Sequence, residues 1–214
     1  MNTRVQFGEF SGENFYYDRE SRYKFLVYEF EDLIKGEILD VGCDKKYLRD
    51  FVGDDVNYTG IDRNSTAEVY MDLEKDSLLS LNKKFDTVIC TDVLEHLENI
   101  HKIFDEMLEI SKGNIIISLP NAWFEFKKIP LLKNSGKFYG LPVDIPEDRH
   151  RWFFNFSEAK NFIEKKSAGK AKEVIFYPYF NKSNRLVKSI AKLILSSNKY
   201  LDLFSPTLWA VIRK

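Results

Sequence analysis

Apolar residues in this chain fall into short runs separated by polar stretches, and the spacing of those runs changes in a regular way. GEILDVG (36–42), NYTGID (57–62), AEVYMDL (67–73), FDTVICTD (85–92), NIIISLP (114–120), EVIFYPYF (173–180) and TLWAVIRK (207–214) have strand length and β-branched or aromatic enrichment, which predicts seven strands. Helix-like segments lie between most of them: 18–34 before the first strand, 47–52, 76–84, 98–112, 155–166 and 185–204. In 98–112, Ile100, Ile103, Phe104, Met107, Leu108 and Ser111 share one helical face. Ser157 is the expected N-cap of the segment around 155–166. Strands that are apolar almost throughout, alternating with helices, predict a parallel sheet covered on both faces.

Composition narrows the class of protein. A chain of 214 residues suits one domain, and 18 Phe, 11 Tyr and 3 Trp supply ample material for its core. Lys plus Arg number 32 against 33 Asp plus Glu, so the net charge of −1 gives no global attraction to nucleic acid. Cys43 and Cys90 both sit in predicted strands without metal-ligand spacing, which fits a reducing compartment. MNTRVQFGEF has no apolar signal core, and no stretch approaches the roughly 18 apolar residues of a membrane span, so the expectation is a soluble, cytoplasmic protein.

In an open parallel sheet, ligands bind beyond the C-terminal ends of the strands. The first four predicted strands each carry a carboxylate at or near that end: Asp40, Asp62, Asp72 and Asp92. Asp62 lies about twenty residues beyond the first strand's loop, where an acid can take both hydroxyls of a ribose. Gly42 gives the first loop a turn through which main-chain N–H groups can be approached closely. These features together suit a nucleoside-containing cofactor.

ILDVGC, YTGID, MDLEKD, FDTVICTDVLEHLEN and IIISLPN, in this order, resemble the class I S-adenosylmethionine-dependent methyltransferases, and among them the branch with a V-L-E-H-L segment after the fourth strand. The likeness covers roughly 36–121, and RHRWFFNFSEAKNFI (149–163) extends it. It implies a Rossmann-like, seven-stranded, mostly parallel sheet with helices on both faces and an antiparallel last strand. It also implies one domain over 1–214. Within it, 1–35 would be a helical cap, 36–121 the cofactor-binding core, 122–156 a substrate loop or lid, and 157–214 the rest of the sheet with a helical insertion at 182–204.

By the same resemblance, S-adenosylmethionine is the cofactor. Asp40, Gly42 and Cys43 match its loop, Asp62 the ribose acid with Arg63 beside the adenine, and Asp72 and Leu73 the pair at the adenine edge. Thr91, Asp92 and Val93 match the strand end near the transferred methyl, and His96 is kept with this set. In the family pattern glycines recur at alternate loop positions; here Asp44 and Lys46 occupy the later two.

For each of these residues a structural reading stands beside the functional one. Asp62 could cap a turn, Asp40 could be a buried acid bonded to loop amides, and Glu95 and His96 sit where capping and packing are common. His101 reads as a packing or solvated histidine. In DIPEDRHRWFF (144–154), His150 is the expected general base and Arg149 and Arg151 the holders of an anionic substrate group, against the alternative of a charged surface loop. Asn121, Tyr16 and Tyr17 complete the expected substrate set. No metal is expected, because methyl transfer from a sulfonium is an in-line displacement that rests on alignment.

The expected reaction is O-methylation of a small polar or sugar-containing metabolite. The alternatives are a non-catalytic, partner-binding module with the same fold, for which Asp44-Lys45-Lys46 is the best support, or a methyltransferase acting on RNA or protein. The basic side of 185–204 would suit a weak contact with a membrane surface, against ordinary packing on its own domain. Oligomeric state is not legible.

Overall fold

The computed structural model describes residues 2–11, 15–126, 148–180 and 194–214. Its strands are β1 (Arg4–Phe7), β2 (Glu37–Val41), β3 (Asn57–Asp62), β4 (Val69–Tyr70), β5 (Phe85–Thr91), β6 (Ser111–Pro120), β7 (Glu173–Tyr179) and β8 (Thr207–Arg213). They form one sheet in the order β1-β7-β8-β6-β5-β2-β3-β4. Every pairing is parallel except those of β8, which runs antiparallel to both β6 and β7. The helices are α1 (Arg19–Phe30), α2 (Ile100–Ile110), α3 (Ala122–Phe126), α4 (Phe156–Ser167) and α5 (Ser197–Phe204).

The period of two along each central strand divides the core into two layers. Ile38, Ile89, Ile116, Trp209 and Val211 face α1 and meet its Tyr23, Phe25, Leu26 and Phe30. Leu39, Val88, Ile115, Ile117, Ala210 and Ile212 face the other way, against α2 and α4 through Ile103, Phe104, Met107, Ala159 and Ile163. This double coverage is why the strands read as continuous apolar runs rather than as alternating ones.

Several local expectations are corrected. The sheet has eight strands rather than seven, because RVQF near the N-terminus adds the edge strand β1 on β7, with Arg4 opposite Glu173. The first 35 residues are therefore not all helical. The strand expected over 67–73 shrinks to two residues, and the helices expected at 47–52 and 76–84 are single 3-10 turns, Tyr47–Asp50 and Leu78–Leu81. Asn155, not Ser157, caps α4: its side chain accepts from the Glu158 N–H at 2.7 Å and the Glu158 carboxylate accepts from the Asn155 N–H at 2.9 Å, a reciprocal pair that Ser157 has no position to make.

Most of the expected lid (127–147) and the first part of the basic helix (185–193) lie outside the described residues. Among the described residues no helix is long and apolar enough to cross a membrane.

Candidate functional site

The strand order reverses between β2 and β5: β3 and β4 continue outward from one, β6 and β8 from the other. A crevice at such a point is the expected ligand site of an open α/β sheet. Gly42, just after β2, and Asp92-Val93, just after β5, flank it. Gly42 has φ +75°, and a Cβ there would lie 2.3 Å from Val93 Cγ2, so only glycine fits.

The crowded half of the first loop keeps the shape that glycines would give it. Asp44 and Lys46 both adopt left-handed backbone, φ 48° and 59°, at a cost on the order of 1 kcal/mol each. Asp44 is held there by its surroundings. Its N–H donates to Asp62 Oδ2 at 2.9 Å, its carbonyl accepts from Asn64 Nδ2 at 3.0 Å and Thr66 Oγ1 at 2.6 Å, and its carboxylate accepts from Arg19 at 2.8 Å. The loop amides are less available than the sequence suggests: Gly42 and Cys43 N–H both donate to the Ile61 carbonyl, at 2.9 and 3.1 Å.

Asp62, at the end of β3, is half-buried and accepts from Asp44 N–H and, at 3.2 Å, from Asn64 N–H. An ionised carboxylate has about four acceptor positions, so two remain for a diol. Asp72 is bound by Lys75 at 2.8 Å, which holds its carboxyl below the usual range. Leu73 is buried, with its carbonyl accepting from Asn99 Nδ2 at 2.7 Å, while Arg63 is exposed at the rim. Cys43 is buried, and burial pushes its thiol up to about 12, with Asp40 and Asp62 adding to the rise.

Asp40 lies beneath this surface rather than in it. It is fully buried and its partner is the Tyr58 hydroxyl, 2.8 Å away, because the loop amides that were its expected donors are already consumed by Ile61. Burial pushes Asp40 up to about 7 from an ordinary 3.8, against the opposing pull of Tyr58 and Arg22. The folded chain thus keeps a proton that the unfolded chain releases above ~4, so Asp40 favours folding at low pH and that contribution is lost as pH rises toward 7. Asp40→Asn keeps an acceptor for Tyr58 and is expected to flatten part of the decline in urea-unfolding midpoint between about pH 4.5 and 7. Equal slopes for both proteins would refute this.

At the end of β5, Thr91 is buried, with its hydroxyl 3.5 Å from that of Tyr23. Asp92 takes left-handed backbone, φ 52°. Its carboxylate is clamped between Arg22 of α1 and the Ser118 hydroxyl, the latter at 2.5 Å. Arg22 and Arg19, three residues apart on one face of α1, were missed as site residues. The first reaches Asp92, and the second bridges Asp44 and, at 3.8 Å, Asp148.

The segments 94–98 and 148–152 are bolted together. The Glu95 carbonyl accepts from Arg151 and Trp152 N–H at 2.7 and 3.1 Å. Arg151 Nε donates to the His96 carbonyl at 2.9 Å, and Trp152 Nε1 to that of Leu97 at 2.6 Å. Arg151 also pairs with Glu98 and, at 3.7 Å, Glu74, so it fastens the segment instead of waiting for a substrate anion. Arg149 is exposed, and its carbonyl meets His96 Nδ1 at 3.2 Å.

His150 is thereby delivered to the crevice wall, buried, with its ring centroid 4.6 Å from that of His96. Burial, aided by His96, pushes its pKa down to about 4. Burial weakens the ring as a base and so works against the general-base role expected of it.

The structure places the other residues of the expected substrate set as follows. Asn121 is buried and saturated: its Nδ2 donates to the carbonyls of Asp202 and Ser205, both at 2.8 Å, and its Oδ1 accepts from Trp123 and Phe124 N–H. Tyr16 packs in the core, stacked 4.3 Å from Tyr179 with its hydroxyl accepting from Trp209 Nε1 at 3.2 Å. Tyr17 is 86% exposed.

A family model described as "methyltransferase domain" matches residues 17–165. The chain belongs to the class I S-adenosylmethionine-dependent methyltransferases. Among solved structures similar to this methyltransferase is an S-adenosylmethionine-dependent methyltransferase from Archaeoglobus fulgidus, at 17% identity and TM-score 0.60 over 92% of this chain and 95% of that one. Another is the small RNA methyltransferase HEN1, at 15% identity and TM-score 0.61 over 91% of this chain and 25% of that one. A third is a magnesium protoporphyrin IX methyltransferase from Synechocystis, at 16% identity and TM-score 0.51 over 91% and 83%. At these identities the likeness is one of fold. No match was found among curated protein sequences.

Proposed function

We propose that this methyltransferase places a methyl group on an oxygen of a small polar acceptor. The observation that carries this reading is the polar wall formed by Glu95, His96 and His150 beside Asp92 at the strand-order reversal, where an acceptor hydroxyl would find hydrogen-bonding groups already fixed in place. A net charge of −1 favours a small acceptor over a nucleic acid. The proposed cofactor contacts are Asp62 for the ribose diol, Asp72 and Leu73 for the adenine edge, and the Gly42 turn with Asp92-Val93 for the methionine end.

In this reading the chain contributes alignment and exclusion of water. The acceptor oxygen attacks the methyl carbon as the carbon–sulfur bond breaks, turning the sulfonium into a neutral thioether, and the hydroxyl proton leaves to solvent. The left-handed Asp44 and Lys46 speak against the non-catalytic alternative, since the loop keeps its turn despite lacking the glycines.

Isothermal titration of the folded chain with S-adenosylhomocysteine tests the proposal. One site per chain is expected, weakened about tenfold or more in Asp62→Ala, which forfeits hydrogen bonds to a charged group. A folded chain without saturable binding would overturn it. Turnover on an RNA or protein panel but on no small hydroxyl compound would overturn the acceptor assignment alone.

A further inference from the structure

We infer that Glu95, His96 and His150 form a binding site for one divalent transition-metal ion, of the zinc, cobalt or manganese kind. One ligand atom from each lies within 4.8 Å of the others. His96 Nε2 is 3.7 Å and His150 Nε2 4.0 Å from Glu95 Oε1. Ligands about 2.1 Å from a shared metal sit roughly 3.0 to 3.4 Å apart, so shifts of about an ångström close the shell.

Two further features point to a cation. Glu95 is fully buried, and neither of its carboxylate oxygens has a hydrogen-bond partner among the described residues. Burial, with Asp92 adding to it, pushes the Glu95 carboxyl well above its ordinary range, so the group left this way either holds a proton or meets a cation. The nearby guanidinium, Arg22, is instead engaged by Asp92.

The second feature is the tautomer of His96. Its Nδ1 faces the Arg149 carbonyl at 3.2 Å, and a carbonyl only accepts, so Nδ1 carries the proton. On a neutral ring, Nε2 then presents a bare lone pair toward Glu95. A lone pair and an ionised carboxylate facing each other across 3.7 Å repel unless a proton or a metal cation stands between them. A backbone carbonyl orienting a histidine through its other nitrogen is a common arrangement around bound metals.

Two imidazole nitrogens and one carboxylate favour a transition metal over magnesium or calcium, which prefer oxygen donors. Three protein ligands also leave coordination positions for oxygens of an acceptor. That use at the acceptor rests on the methyltransferase reading; binding of the cation does not.

The test is titration of the tag-free, chelator-treated chain with Co²⁺, followed by its visible ligand-field absorption, and then displacement by Zn²⁺. One equivalent is expected to bind. Glu95→Gln and His150→Gln should each weaken binding about tenfold or more with an unchanged circular dichroism spectrum, while His101→Gln, whose ring packs on Phe162 outside the cluster, should bind as the parent does. Absence of stoichiometric binding by the parent chain, or undiminished binding in both Glu95→Gln and His150→Gln, would overturn the inference. S-adenosylhomocysteine titration of the same samples separates the two claims. Cofactor binding without metal sinks only the metal site, and metal binding without cofactor sinks only the methyltransferase reading.

Discussion

Gly42→Ala is expected to destabilise the chain by roughly 2–5 kcal/mol and to reduce S-adenosylhomocysteine binding below detection. Two costs combine. The residue must hold φ +75°, which for a side-chain-bearing residue costs about 1–2 kcal/mol, and the new methyl would sit 2.3 Å from Val93 Cγ2 in a packed site, where overpacking typically costs about 1–3 kcal/mol. Relief requires Val93 or the loop to move, and either movement narrows the crevice where the methionine end of the cofactor is proposed to lie. Gly169→Ala isolates the first cost: its φ is +73°, but nothing lies within 4 Å of the added Cβ. Urea unfolding of both variants should therefore show a clearly larger loss for Gly42→Ala. Equal losses would mean that Val93 yields freely and the close approach has no consequence.

Arg22→Met should cost about 3 kcal/mol, the lower end of the range for breaking a buried ion pair from one side. The Arg22 side chain is 11% exposed and that of Asp92 25%, so the remaining carboxylate would keep the Ser118 hydroxyl and a little solvent but no counter-charge. The second arm is the double variant Arg22→Met with Asp92→Asn. Asparagine tolerates the left-handed backbone that Asp92 adopts, and removing both charges leaves none stranded, so much of the loss should be recovered. Simple additivity of the two single losses in urea unfolding would show that the pair is not coupled. The same experiment bears on the site, because Arg22 is the tether by which α1 covers the end of β5.

Some of this architecture was readable from local pattern. The seven expected strands are all present in the sheet, since each is an apolar run bounded by turn residues and that periodicity survives without knowledge of neighbours. The antiparallel last strand, implied by family resemblance, is likewise present. The edge strand β1 escaped because RVQF is short, largely exposed and defined by its pairing with β7, which is far away in the chain. Asn121, Tyr16 and Arg151 were misjudged for a related reason: polar and aromatic side chains look available until the carbonyls, rings and carboxylates that occupy them are placed.

The amino-acid sequence by itself determined the strand order along the chain, the loop glycine that the turn requires, and the acids at the strand ends. These depend on residue type and spacing over a few positions, and the matched family pattern rests on the same features. Only the tertiary structure decided that Asp44 and Lys46 take the backbone of the glycines they replace, because neighbours such as Asn64, Thr66 and Arg19 hold that loop. Only the tertiary structure joined Arg22 to Asp92 across 70 positions, and His96 to the segment carrying His150 across 53. No local propensity encodes such meetings; they exist because parallel strands packed between two helical layers bring their C-terminal ends to one edge, where loops distant in sequence must share a single crevice.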